Sequence, residues 1–186
     1  VTKGTTPTTI GGSFSDLGIN FVKAESITDD HSFNHSKFSY IDQQTDDLLK
    51  RSKLKVGDLL FTIAGTIGRF ATVTQLQLPA NTNQAVAIVR VNSLVSSDFL
   101  RCVMGQKEFS SELLGGVVES VQANLSLSNI KLAKFVMPMS GLDSLFSPIA
   151  HFFDKQNCNK HEIYVLSSMR DLLLPKLISG EISVDA

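Results

Sequence analysis

Apolar and polar positions follow two different rhythms along this chain. Up to about residue 140 the apolar residues come in short runs broken by polar turns. Residues 18–27 hold Ile19, Phe21 and Val22, a short strand by pattern. Val56-Gly57-Asp58 reads as a turn leading into Leu59-Leu60-Phe61-Thr62-Ile63, an apolar run of buried-strand length. Ala64-Gly65-Thr66-Ile67-Gly68 joins it to a second strand over 69–74, and such a pair predicts a hairpin. Residues 79–84 read as a loop, and 85–91, rich in β-branched side chains, as a third strand. Ser96 supplies N-cap chemistry for a helix reaching about residue 106. A second helix is predicted over 107–114, a helical turn over 126–132, and a last strand over 134–137 closed by Pro138. The segments 1–16 and 28–39 read as polar loops, and 42–52 as at best a short exposed helix.

The second rhythm starts near residue 142. Leu142, Leu145, Ile149, Phe152, Ile163, Leu166, Leu173 and Leu177 recur at alternating spacings of three and four, with Gln156, Asn159 and Arg170 filling the same seam. A repeat of about 3.5 residues marks a helix that packs along another helix. Pro148 is read either as the first helical position after a Ser147 cap or as lying one turn inside a helix begun near Asp143. Pro175 ends or kinks the helix, and Ser179-Gly180 stops what remains. From 144 to 174 such a helix runs roughly 46 Å at about 1.5 Å per residue, longer than one domain of this size needs. The expected fold class is therefore α+β: a mixed, largely β domain over 1–140, a long C-terminal α-helix over 141–178 that pairs as an antiparallel coiled coil, and a tail over 179–186.

Composition permits this and narrows the function. Hydrophobic residues make up 42% of 186, with twelve Phe, which supports a packed core and excludes disorder over most of the length. No apolar run is long enough to span a membrane and no apolar leader follows Val1. The start without Met reads as a chain excised or processed from something longer. Cys102 and Cys158 are far apart and in unlike contexts, giving neither a zinc site nor a disulfide framework, as expected of a cytoplasmic protein. His31 and His35 are four apart, but no helical pattern surrounds them, so a polar surface loop is expected and no metal. The net charge of −1 counts against a simple nucleic-acid binder. Locally, Lys50, Arg51, Lys53, Lys55 and Arg69 form a basic patch facing little acid, whereas Glu25, Asp29, Asp30, Asp42, Asp46 and Asp47 make the preceding stretch acidic.

Catalytic signatures are lacking. The sequence holds no GxSxG, HExxH or Walker-type loop, and Ala64-Gly65-Thr66-Ile67-Gly68 joins strand to strand rather than strand to helix, so it is no anion cradle. Glu25, Asp42 and Asp58 lack nuclease spacing, and no methyltransferase tetrapeptide is present. No catalytic residue and no cofactor is assigned.

Several segments together resemble a known family. Lys3-Gly4-Thr5-Thr6-Pro7 looks like the opening motif of target recognition domains in the specificity subunits of type I restriction–modification systems. Val56-Gly57-Asp58-Leu59-Leu60 with the glycine turn at 64–68 is similar to their next element. Asn83-Gln84-Ala85-Val86 and Gln122-Ala123-Asn124-Leu125-Ser126 match two more, and 166–182 is similar to the tail of the family's spacer helix. These cover nearly the whole chain in the family's order. The sequence departs from the Pro-Pro-Leu helix opening of many members, having Met137-Pro138-Met139 and Phe146-Ser147-Pro148 instead. It also holds one recognition domain and one helix where full-length members carry two of each.

The resemblance implies a non-catalytic DNA reader that contacts one half of a bipartite target, with a spacer helix that sets half-site separation. The implied partners are double-stranded DNA, modification (methyltransferase) subunits, a restriction subunit, and a second spacer helix in the same full-length chain or from a second copy. Loop residues able to contact bases or phosphate are Lys3, Thr5, Thr6, Thr66, Arg69, Asn81, Asn83, Gln122 and Asn124, each of which can equally serve as a turn-maker. The competing expectations are a protein-interaction module dimerised by the helix, or the recognition region of a fused restriction–methylation enzyme.

Overall fold

A computed structural model describes residues 1–92, 95–115, 124–137 and 142–183, with side chains of the last segment described from Phe146 onward. The chain divides into two compact units, Val1–Met137 and Pro138–Ala186.

Among its described residues the first unit contains eight short strands: β1 (Thr2–Lys3), β2 (Phe14–Ser15), β3 (Ile19–Val22), β4 (Ser39–Ile41), β5 (Leu59–Thr62), β6 (Phe70–Thr72), β7 (Ala80–Thr82) and β8 (Val86–Val89). Helices α1 (Gln43–Leu48), α2 (Ser97–Met104), α3 (Lys107–Gly115) and α4 (Leu127–Leu132) complete it. One sheet has the order β1-β8-β5-β6 and is antiparallel throughout; the other has the order β2-β4-β3-β7, with β3 and β7 parallel.

The β1-β8-β5-β6 sheet is covered on both faces, which explains why β5 is buried at every position and reads as a continuous apolar run. Leu60, Ala71, Val86 and Ile88 join Val22, Ile27 and Phe38 in one core cluster. The alternate residues Leu59, Phe61, Phe70 and Ala87 pack with Leu100 and Met104 of α2, Leu113 of α3, and Leu125 and Ile130. The hairpin, the three helices and the strand at Val86–Val89 stand where the pattern predicts them. Ser96 and Ser126 cap α2 and α4 by accepting from the amides of Phe99 and Asn129 at 3.1 and 3.2 Å.

Several expectations fail, beginning with the polar loop over 1–16, which supplies β1 and β2. Residues 134–137 form no strand: Phe135 packs against Phe99 of α2, with centroids 5.8 Å apart, and Val136 is exposed. Residues 80–82, expected in a loop, form β7 in the middle of the core. Its polar residues hid it from an apolar reading, because Asn81 and Thr82 are buried with their hydrogen bonds satisfied internally.

The second unit is one helix, α5 (Leu142–Ile178), of 37 residues and about 55 Å. Both Pro148 and Pro175 lie inside it, in accord with a start near Asp143 rather than a Ser147 cap. Pro175 removes one helical donor without ending the helix, which stops only around Gly180 at φ 72°. Along the predicted seam Phe152, Ile163, Leu166, Leu173 and Leu177 are exposed and Ile149 is half-buried; the side chains of Leu142 and Leu145 lie outside the described set. No helix among the described residues is long and apolar enough to cross a membrane.

Candidate nucleic-acid interface

Strand register decides which loops meet. Lys3 pairs with Ala87, Thr62 with Val86, and Phe61 with Phe70. The end of β1, the end of β5, the start of β6 and the start of β8 therefore share one end of the sheet. The loops that follow or precede them, residues 4–9, 63–69 and 83–85, are gathered there. Residues 124–126 join them because the Leu125 amide donates to the Ile63 carbonyl at 2.9 Å, while the Ile63 amide donates to the Ala85 carbonyl at 2.8 Å.

Local chemistry holds these loops together. A side chain on Gly4 would place its Cβ 1.8 Å from the Thr82 carbonyl oxygen, so only glycine permits this approach of the opening loop to β7. The Thr6 hydroxyl donates to Gln84 Oε1, and the Thr6 carbonyl accepts from the Thr9 amide at 3.1 Å. Asn83 Oδ1 accepts from the Ala85 amide at 3.2 Å, an Asx-type turn. In the glycine turn Gly65 and Gly68 have φ of 75° and 95°. The buried Thr62 hydroxyl donates to the Thr66 carbonyl and accepts from the Arg69 amide at 2.9 Å.

Among the residues expected to touch DNA, the structure brings Lys3, Thr5, Thr6, Thr66, Arg69, Asn83 and Asn124 to this end. Lys3, Thr66 and Asn124 are exposed, and Thr5, Thr6, Asn83 and Arg69 half-buried. Gln122 lies outside the described residues. Asn81 is a correction: it is fully buried, donating to Asp46 Oδ1 at 2.9 Å and to the Leu49 carbonyl at 3.2 Å, so it holds α1 to β7 and cannot reach a base. Sequence reasoning missed Gln84 as a site residue, although it is exposed and adjoins Asn83 in the same motif. It also missed Asp29, which grips Arg69 from 40 positions away with no local signal.

The end so formed carries hydroxyls and amides but few cations. Loops 4–9, 63–69, 83–85 and 124–126 contain Arg69 as their one Lys or Arg. Of the expected basic patch, Lys53 is taken up by Asp46 at 2.6 Å and Asp47 at 2.8 Å, and Lys55 lies at the opposite end of the sheet, its amide donating to Asp58. That opposite end is fastened by Asp58, almost wholly buried, whose carboxylate accepts from Arg90 Nε and Nη2 at 2.6 Å each and from the Lys55 amide at 2.8 Å. The acid of the Gly57-Asp58 motif is thus a structural clamp.

Neither histidine of the 28–39 segment is arranged for a metal. The His31 ring stacks on Phe70 with centroids 3.8 Å apart, and His35 Nε2 lies 3.1 Å from the Gln77 amide. Among the described residues no group of three His, Cys, Asp or Glu could hold a metal ion. Burial pushes the Cys102 thiol above its ordinary range, which disfavours the reactive thiolate.

No family model matches the chain. Across 190 aligned residues, 96% of this chain, it is 25% identical to the type I restriction enzyme HindI specificity subunit of Haemophilus influenzae (strain ATCC 51907 / DSM 11121 / KW20 / Rd), of which it covers 39%. The chain resembles a type I specificity subunit. Its fold is shared with a chain solved in work on complex assembly and conformational transition of the type I R-M system. That match has a TM-score of 0.56 at 12% identity and covers 100% of this chain and 48% of the other. This chain thus spans less than half the length of either match. The motifs that carry the resemblance are the ones assembled above: Lys3-Gly4-Thr5-Thr6-Pro7 against Asn83-Gln84, and the glycine turn against Asn124-Leu125-Ser126.

Proposed function

We propose that this chain reads one half of a bipartite DNA target for a type I restriction–modification complex, performing no chemistry itself. The observation that carries the proposal is the strand register, which delivers four family-like loops to one end of one sheet. Their exposed Thr, Asn and Gln side chains are of the kind that bond base edges in the major groove. Their scarcity of Lys and Arg fits a domain that positions base contacts while partner subunits neutralise most phosphates. On this reading α5 is the spacer. At about 55 Å it exceeds one duplex turn of about 34 Å, so it suits half-sites more than a turn apart. Modification subunits would bring the methyl-transfer chemistry and a restriction subunit the cleavage, in the cytoplasm.

The test is methylation mapping with the complete subunit reassembled with its modification subunits. Replacing Thr66, Asn83 and Gln84 by alanine should relax base preference in one half-site only, each lost contact weakening discrimination by about 1–3 kcal/mol. Methylated positions that stay fixed in all three variants refute the reading. The exposed apolar side chains of α5 favour a second reading, a protein-interaction module, and that reading predicts such a fixed pattern.

A further inference from the structure

Arg69 is the one cation inside the gathered loops, Lys3 standing just before them at the end of β1, and the fold engages Arg69 with an acid. Arg69 Nε and Nη2 donate to Asp29 Oδ1 and Oδ2 at 2.6 and 2.8 Å, and Nη1 donates to the Ile27 carbonyl at 3.3 Å. Both sides of this pair are anchored by the backbone. The Thr62 amide donates to the Arg69 carbonyl at 2.8 Å, and the Thr28 amide to the Ser32 carbonyl at 3.0 Å. Ile27 bridges to Phe33, and His31 stacks on Phe70, the first residue of β6. Loop 28–33 is thus fixed beside the glycine turn.

The two partners differ sharply in exposure. The Asp29 side chain is 81% exposed and that of Arg69 26%. A guanidinium fork engages a carboxylate with the same planar, two-point geometry it offers a phosphate. A pair with so exposed a partner contributes little net stability. Its carboxylate can therefore be exchanged for another anion without dismantling the fold, because the Ile27 carbonyl and the Thr62 contacts still aim the arginine.

We propose that Asp29 is a resident competitor for Arg69. It occupies the guanidinium edge that a DNA phosphate takes on binding, and so lowers the affinity of the reading loops for duplex in general. The inference rests on the DNA-reading function proposed above and deepens it by naming the residue that sets affinity. Where phosphate contacts are few, one competing carboxylate has a proportionally large effect.

The experiment measures binding of the full 186-residue chain to a labelled mixed-sequence duplex of about 30 base pairs, near three helical turns, by fluorescence anisotropy. Salt is varied from about 50 to 200 mM. Asp29→Asn and Asp29→Ser should each tighten binding roughly 2- to 5-fold. Arg69→Ala should weaken binding and make the salt slope shallower by about 0.9, one phosphate contact. In the Arg69→Ala background the gain from Asp29→Asn should vanish. An equal gain in that background would show a general charge effect and overturn the proposal. Wild-type binding that is unchanged or weakened by both Asp29 variants would overturn it as well, leaving the DNA-reading function intact. A wild-type chain with no salt-sensitive binding would overturn this inference alone, because the DNA-reading function is decided by methylation mapping in the reassembled complex.

Discussion

Residues that make the chain resemble a DNA reader do two kinds of work, and Asp58 shows the structural kind. It stands in a family-like motif, yet it is almost fully buried and forked by Arg90, and its hydrogen bonds raise the pKa of that guanidinium above its ordinary value. Gly4 and Asn81 are similar cases, one fixed by a carbonyl where a Cβ would sit and the other turned inward to Asp46. Arg90→Met keeps the apolar stem but leaves the Asp58 carboxylate buried with one backbone donor. The Arg90 side chain is 41% exposed, so water offsets part of the loss and the cost is about 1–3 kcal/mol. For a chain of this size that lowers the melting temperature by roughly 2–12 °C, measurable by thermal unfolding. A melting point within about a degree of wild type would show that solvent reaches Asp58.

At the level of elements, local signals wrote the helices and tertiary packing wrote the rest. α1 is an example of a local signal with a measurable pH signature. Asp42 caps it, and the Thr45 amide at 2.7 Å holds the Asp42 carboxyl below its ordinary range. A lowered folded-state value means that the cap stabilises above the unfolded value, about pH 3.9, and ceases to do so as pH falls through the folded value. Asp42→Ala should therefore melt lower than wild type at neutral pH, and the two should converge in acid. A gap that persists undiminished in acid far below the unfolded value would remove the cap from the account. Ser96 was legible for the same reason, as was the hairpin, whose Gly65 and Gly68 take the positive φ its turn requires. By contrast β7 was illegible, because Asn81 and Thr82 are buried through hydrogen bonds rather than hydrophobicity. The 134–137 run misled in the opposite sense, its apolar residues contacting a helix instead of a sheet. Most loops of the candidate interface could be guessed from motifs, whereas the Asp29–Arg69 pair depends on register between distant segments and has no sequence signal.

For the whole molecule α5 is the decisive element. A 37-residue helix that leaves Phe152, Ile163, Leu166, Leu173 and Leu177 exposed is not satisfied on its own, since covering such side chains contributes about 1.5–3 kcal/mol each. Off-seam residues add to the exposed apolar surface, among them Met169, Leu172 and Ile178. The described residues hold one such helix and the chain spans less than half of either match, so in isolation the available partner is a second copy. Light scattering should accordingly find the chain dimeric at micromolar concentration. Glutamate at Leu166, Leu173 and Leu177 together should raise the dimer Kd by at least about a hundredfold. The melting of the Val1–Met137 unit should stay where it was, because none of the three substitutions lies in it. A wild-type chain that scatters as a monomer would mean that the seam does not recognise itself. The helix would then need a different helix to complete it, and spacing would have to be set within a longer polypeptide rather than between copies. A dimer that survives the three glutamates would place the contact elsewhere on the chain and detach α5 from the measurement of half-site distance altogether.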